Sequence, residues 1–203
     1  MKAPIEGAVD VAPLGIAADE HVYEDHGGPD MALLAYPFEH YSYWQGLGLD
    51  LPTAGAMGEN LTVTGLSERD VHLGDVLAAG TAVLQVTQPR APCYKLAARY
   101  GRPDMAVAVQ DTGFTGYLLR VLVPGSIAAG DSVTLVERGE HGVSVHEAAR
   151  VANVDRNDLD GARRVLAVEA LGSSVRRKLT ARLAQEGTVG LDAERLFLDS
   201  GHD

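Results

Sequence analysis

Gln88-Pro89-Arg90-Ala91-Pro92-Cys93-Tyr94-Lys95-Leu96 joins a run that reads as a strand, 81–87, to one that reads as a helix, Tyr94–Tyr100. Pro89 and Pro92 fix φ and remove two backbone donors, so the chain leaves the strand through a stiff loop. That loop delivers Cys93 to the mouth of the following helix. A helix N-terminus and the neighbouring cations Arg90 and Lys95 would both favour thiolate over thiol. A lone cysteine is also commonly a buried, inert side chain. On these residues alone both readings stand.

Working outward, two more stretches carry donor and acceptor groups at turns. His26-Gly27-Gly28-Pro29-Asp30 precedes a strand over 31–36. Its two glycines let the backbone approach a ligand closely, and Asp30 can accept from a donor-rich heterocycle. Gly58-Glu59-Asn60-Leu61-Thr62 enters a strand over Leu61–Val63. Simple turn chemistry would account for either stretch taken by itself.

The first 136 residues read as short strands separated by Gly, Pro and Asp. Pro37 ends the 31–36 strand and fits the first position of a short helix through Trp44, with Gly46 and Gly48 beyond it. Val76–Ala79 and 81–87 form a hairpin around Gly80. Tyr117–Val123 alternates between faces and is bounded by Gly116 and Pro124-Gly125. A last strand covers 133–136. Strands at this spacing predict a mainly β, closed or nearly closed barrel with short helices.

The pattern changes near residue 142. Ser144-Val145-His146-Glu147 is a capping box that opens a helix to about Asn153, with Glu147 reaching back. A second helix spans 158–171, with Gly172 as its stop. A third starts at Ser173 or Ser174, carries Val175, Leu179 and Leu183 four apart, and ends before Gly187. The predicted organisation is a barrel domain over 1–142, a three-helix extension over 143–187 and a loose tail over 188–203. Three helices of this size bury little alone. They dock on the barrel or on another copy, as in a homodimer.

The single cysteine excludes an intrachain disulfide, an Fe–S cluster, which takes about four thiolates, and a cysteine-rich zinc site. No apolar run reaches membrane-spanning length, and Met1-Lys2-Ala3-Pro4-Ile5-Glu6 lacks the core of a signal peptide, so a cytoplasmic location is expected. The net charge of −11 argues against nucleic acid as a partner. It is unevenly spread. Residues 1–75 hold thirteen acids and two bases, whereas 76–103 hold Arg90, Lys95, Arg99 and Arg102 and no acid. A basic island in an acidic chain can form an anion pocket. Solvated helix charges would give the same count.

Taken together, His26-Gly27-Gly28-Pro29-Asp30 with Tyr36-Pro37, then Gly58-Glu59-Asn60-Leu61, then Gln88-Pro89-Arg90 with Pro92-Cys93 and Lys95-Leu96, resemble the MOSC family and its YiiM-like branch. The helices after residue 143 resemble the three-helix extension of that branch, and the likeness covers roughly residues 3–185. It implies a MOSC β-barrel that binds the molybdenum cofactor, a pyranopterin dithiolene. The family's metal-ligating cysteine corresponds to Cys93. Arg90 and Lys95 are the candidates for the cofactor's charge. His26, Gly27, Gly28, Asp30, Glu59 and Asn60 are the candidates for its orientation. The resemblance further implies a reductase of N-hydroxylated compounds such as hydroxylamino-purines. The sequence shows no dinucleotide fingerprint G-x-G-x-x-G, so electrons would come from a separate reductase. The chain starts where family members have completed a first strand, which predicts an open sheet edge. Two alternatives remain open here: a cofactor or sulfur carrier of the same fold, and a thiol hydrolase pairing Cys93 with His26. A zinc site from His21, His26 and Cys93 lacks metal-type spacing.

Overall fold

Gly80 and Gly125 show how the sheets meet. A Cβ on Gly80 would lie 2.3 Å from the Ser126 carbonyl oxygen, and one on Gly125 would lie 2.5 Å from Thr81. The backbones touch there, and two sheets curl around the contact. In the computed structural model, which describes residues 4–16 and 28–198, the first sheet has strand order β2-β1-β8 and the second β4-β3-β7-β6-β5-β9. The strands are β1 (Ala8–Ala12), β2 (Gly15–Ile16), β3 (Leu33–Pro37), β4 (Leu61–Val63), β5 (Val76–Ala79), β6 (Ala82–Pro89), β7 (Tyr117–Val123), β8 (Gly125–Ala128) and β9 (Val133–Glu137). Among the described strands only β3 and β4 pair in parallel. Register shifts between β6 and β7 bend the long central strands. The result is the expected β architecture, a curled mixed sheet forming a half-barrel, with helices packed around it.

Several boundaries differ from those predicted. Pro29–Met31 is a short 3-10 turn, so β3 begins at Leu33 and ends on Pro37, whose missing donor suits a strand end. A second 3-10 turn, Phe38–His40, precedes α1 (Tyr41–Gly46), which therefore includes Gly46. The hairpin strand β6 runs on through Gln88 and Pro89. An early strand, β1, sits between β2 and β8, which form the edges of this sheet. Its composition, Ala-Val-Asp-Val-Ala, places only Val11 in the core, which leaves little hydrophobic signal.

Helices α2 (Tyr94–Tyr100) and α3 (Met105–Thr112) stand between β6 and β7. Each ends on a glycine with positive φ, Gly101 and Gly113, as left-handed helix caps require. Ser144 caps α4 (Val145–Ala149) by accepting the Glu147 N–H. The Glu147 carboxylate turns to Arg164 instead of reaching back. A π-turn over Arg150–Val154 extends α4. Asp158 caps α5 (Leu159–Ala167), which stops four residues before the predicted Leu171. The final helix α6 spans Ser173–Leu198. It runs through Gly187, so most of the predicted tail is helical.

One core serves sheet and extension alike. Val11, Leu33, Leu77, Leu84 and Leu119 pack in the same cluster as Val145, Val151, Val165, Leu171 and Leu179. The extension thus docks on its own barrel. A second cluster under α1, α2 and α3 joins Tyr36, Tyr41, Trp44, Met57, Leu96, Met105 and Val109. Among the described residues no helix is long and apolar enough to cross a membrane.

Candidate functional site around Cys93 and Arg90

Cys93 occupies the N-cap position of α2 with extended backbone (φ −126, ψ 164), and its side chain makes no capping bond. It is a free, half-buried thiol. The stiff β6 exit therefore places it where the sequence predicts. Three residues earlier, Arg90 closes the strand: its N–H donates to the Gly116 carbonyl at 3.2 Å. Its Nη2 donates to the Met57 carbonyl at 3.2 Å. Its Nη1 is buried and has no partner among the described residues. Burial holds the Arg90 guanidinium below its ordinary proton affinity, opposed by the negative charge available at Cys93, Tyr36 and Glu59. An unmet buried guanidinium donor is chemically suited to bind an anion.

The wall facing Arg90 is the 55–62 loop, and Glu59 builds it. Its carboxylate is buried and accepts from the Tyr41 hydroxyl, the Gly55 N–H at 3.1 Å, the Met57 N–H at 2.8 Å and the Thr62 hydroxyl at 3.1 Å. The Tyr41 hydroxyl also accepts the Ala56 N–H at 3.1 Å. Burial, together with the bond to Glu59, pushes the Tyr41 hydroxyl up to about 12. Helix α2 secures the same loop from outside. Arg99 donates to the Gly55 carbonyl at 2.8 Å and Tyr100 to the Ala56 carbonyl at 2.5 Å. Two members of the basic island thus hold backbone carbonyls, and a third, Arg102, pairs with Asp104 at 2.7 Å.

The remaining predicted residues separate into groups. Lys95 lies exposed on α2, two residues from Cys93. Asn60 ties β4 to β3, its Oδ1 accepting the Leu34 N–H at 2.9 Å while its own N–H donates to the Leu34 carbonyl at 2.8 Å. Glu59 and Asn60 therefore shape the loop from inside. Gly28 has φ 111 and opens the turn whose Met31 N–H donates to its carbonyl at 2.9 Å. Asp30 faces the extension: its carboxylate accepts from Arg120 at 2.7 Å and from the Ser173 N–H at 2.9 Å. Burial raises the Asp30 proton affinity, but the Ser173 N–H and Arg120 outweigh it and hold the carboxyl below its ordinary range. His26, Gly27 and the proposed zinc donor His21 lie outside the described residues.

Sequence reasoning missed Tyr41, Arg99 and Tyr100, which reach the loop from other elements. The absence of acids around Arg99 was the one available signal. It also gave no role to His40, whose ring is buried against Glu68. A cavity of about 440 Å³ lies elsewhere, lined by Gln85, Arg120, Arg138, His141 and Glu169 among others, and it includes none of the predicted site residues. Among the described residues no group of three His, Cys, Asp or Glu side chains could hold a metal ion unaided.

Known proteins match both parts of the chain. The MOSC domain family matches residues 22–134, and the YiiM-like 3-alpha helix domain matches 143–186. YiiM of Escherichia coli is 40% identical over 185 residues, spanning 89% of this chain and 82% of its own. A Gibberella moniliformis protein named Reductase is 37% identical over 72% of this chain, a region that makes up 27% of that longer protein. The crystal structure of YiiM from Geobacillus stearothermophilus superposes with a TM-score of 0.79 at 38% identity, covering 88% of this chain and 86% of that one. With both family segments in order and the fold shared along nearly its whole length, the chain belongs to the MOSC family and, through its three-helix extension, to the YiiM-like members.

Proposed function

We propose that this protein is a molybdenum-cofactor-dependent reductase of N-hydroxylated compounds, with Cys93 as the protein's ligand to the metal. The observation that carries the reading is the pairing of a free, half-buried Cys93 with Arg90, whose buried Nη1 has no partner among the described residues. A thiol at a helix mouth suits a soft metal already bearing sulfur ligands. An unmet guanidinium donor suits the cofactor's anionic groups. The kinship with a protein named Reductase agrees with redox chemistry.

The cofactor, when bound, would supply a centre that exchanges two electrons. The protein's residues bind and orient it. Cys93 fixes the metal end, Arg90 neutralises charge, and the Glu59 network keeps the Met57 carbonyl under the Arg90 guanidinium. Lys95 adds a cation at the rim. The overall reaction converts R–NHOH, two electrons and two protons into R–NH2 and water. One cysteine gives no Fe–S cluster, so a partner reductase delivers the electrons. A cytoplasmic setting, where thiols stay reduced, fits this chemistry.

The test is metal and pterin content after expression in a host that makes the cofactor. About one molybdenum per chain is expected in the parent and almost none in Cys93→Ser. The loaded parent should then reduce an N-hydroxylated base with a supplied reductase. Loading without turnover would point to a carrier. A folded parent with no molybdenum or pterin, alongside a loaded control enzyme, overturns the proposal.

A further inference from the structure

Arg90 needs an outside reference to aim it. Among the described residues its guanidinium has one bond, from Nη2 to the Met57 carbonyl at 3.2 Å, while Nη1 is unpaired. The direction of the side chain therefore depends on where its backbone is pinned. That pin is the Gly116 carbonyl, which accepts the Arg90 N–H at 3.2 Å and the Thr115 hydroxyl at 2.8 Å. Gly116 is wedged on one side. Its φ is +68, and a Cβ there would lie 2.5 Å from the Ala35 carbonyl oxygen and 3.0 Å from the Tyr36 ring.

The other side is held by a buried pair that the site has not yet used. His40 Nε2 meets Glu68 Oε2 at 2.6 Å, with side chains 10% and 3% exposed. The second oxygen of Glu68 accepts the Gly116 N–H at 2.7 Å. The His40 ring also stacks on Phe114, with centroids 3.8 Å apart and planes 10° apart. The pair thus grips residues 114–116 twice, once through the carboxylate and once through the ring. A buried polar network of this kind is unfavourable unless every member is satisfied, and it then rigidifies what it touches.

We propose that His40 and Glu68 are positioning residues for Arg90: together they fix Gly116, and through its carbonyl the point from which the Arg90-to-Cys93 loop departs. The proposal rests on Arg90 and Cys93 being the cofactor's anchors. His40→Leu keeps the bulk and removes the donor, whereas His40→Gln restores a side-chain N–H. Amide hydrogen exchange is measured in the protein without cofactor, and molybdenum per chain in the same variants from a cofactor-making host. His40→Leu should speed exchange at Arg90 and Gly116 about tenfold or more, as expected for losing one bond to a charged group. The β5–β6 hairpin should keep its parental rates, and His40→Gln should recover most of the protection. Molybdenum should fall in His40→Leu and return in His40→Gln. Parental exchange at both amides in His40→Leu, or equal loss in the Gln and Leu variants, overturns the proposal. If His40→Leu does not fold, Phe114→Leu removes the stack alone and should speed the same two amides to a smaller extent; unchanged rates there overturn it too. Absence of molybdenum in the parent would sink the functional reading, and the exchange rates would still decide the positioning role.

Discussion

Glu59 shows what a single side chain does here. It sits in a turn motif and offers two oxygens, both taken by the loop's own donors and by Tyr41 and Thr62. Glu59→Leu leaves those buried donors unmet and should destabilise the protein by about 3 kcal/mol or more, read as a lower urea midpoint. The same variant loosens Met57 beneath Arg90, so molybdenum retention should fall although Cys93 is intact. Tyr41 adds a pH signature. Its folded-state value is raised from 10.0 to about 12, so the neutral phenol stabilises the fold fully below pH 10. That contribution is lost as pH rises from 10 towards 12, and Tyr41→Phe should make the alkaline fall in stability shallower over that window. At this scale the sequence was only half legible. The place of Cys93 follows from two prolines and a helix start, all local. The direction of the Asp30 carboxylate depends on Arg120 and Ser173, 90 and 143 residues away, and no local pattern encodes that.

Among the elements, α6 depends most on residues outside it. Its first turn is fastened by Asp30 to the Ser173 N–H and by Gln88 to the Ser174 hydroxyl, the latter at 2.9 Å. Gly172, just before it, has no room for a side chain, since a Cβ would lie 2.2 Å from Gln88 Oε1. Asp30→Asn keeps the shape and removes the charge. It should cost about 1–2 kcal/mol, the range of a lost helix-cap contact. The Asp30 carboxyl is held below its usual 3.8, so its stabilisation is present above that value and is lost as pH falls below it. Asp30→Asn should accordingly flatten the acid limb, measured as urea midpoints at pH 6 and pH 3. Elements bounded by Gly and Pro, such as Tyr117–Val123 and Tyr94–Tyr100, were readable from those boundaries. Strand β8 was not, because it starts on the Pro124-Gly125 step that ends β7 and buries only Ile127. Helix α3 buries only Met105 and Val109, and its alternating Val and Ala obscure the helical period. Gly187 looked like a stop, yet glycine only weakens a helix by about 1 kcal/mol when the backbone continues.

For the whole molecule, the shared core makes a definite statement about cooperativity. Strand residues such as Leu84 and helix residues such as Val165 and Leu179 belong to one apolar cluster. The barrel and the extension should melt in a single calorimetric transition with matching van't Hoff and calorimetric enthalpies. Two resolved transitions would show that the extension folds apart. The overall charge of −11 is similarly integrated, because Arg90 and Arg99 point at loop carbonyls and Arg102 pairs with Asp104. The basic island is thus mostly internal bracing, with Arg90 alone leaving a buried donor unmet.

The Asp30 to Ser173 bond also sets an order of assembly during biosynthesis. Its partners are separated by 143 residues. At ribosomal rates of about 5–20 residues per second, on the order of ten seconds pass between the two being made. The Asp30 turn can therefore be held by Arg120 on the ribosome but lacks its Ser173 contact until the last helix emerges. Under the proposed function, metal insertion into a fully framed pocket is then a post-translational event, and a nascent chain stalled before residue 173 would present Cys93 without the frame that surrounds it in the finished protein.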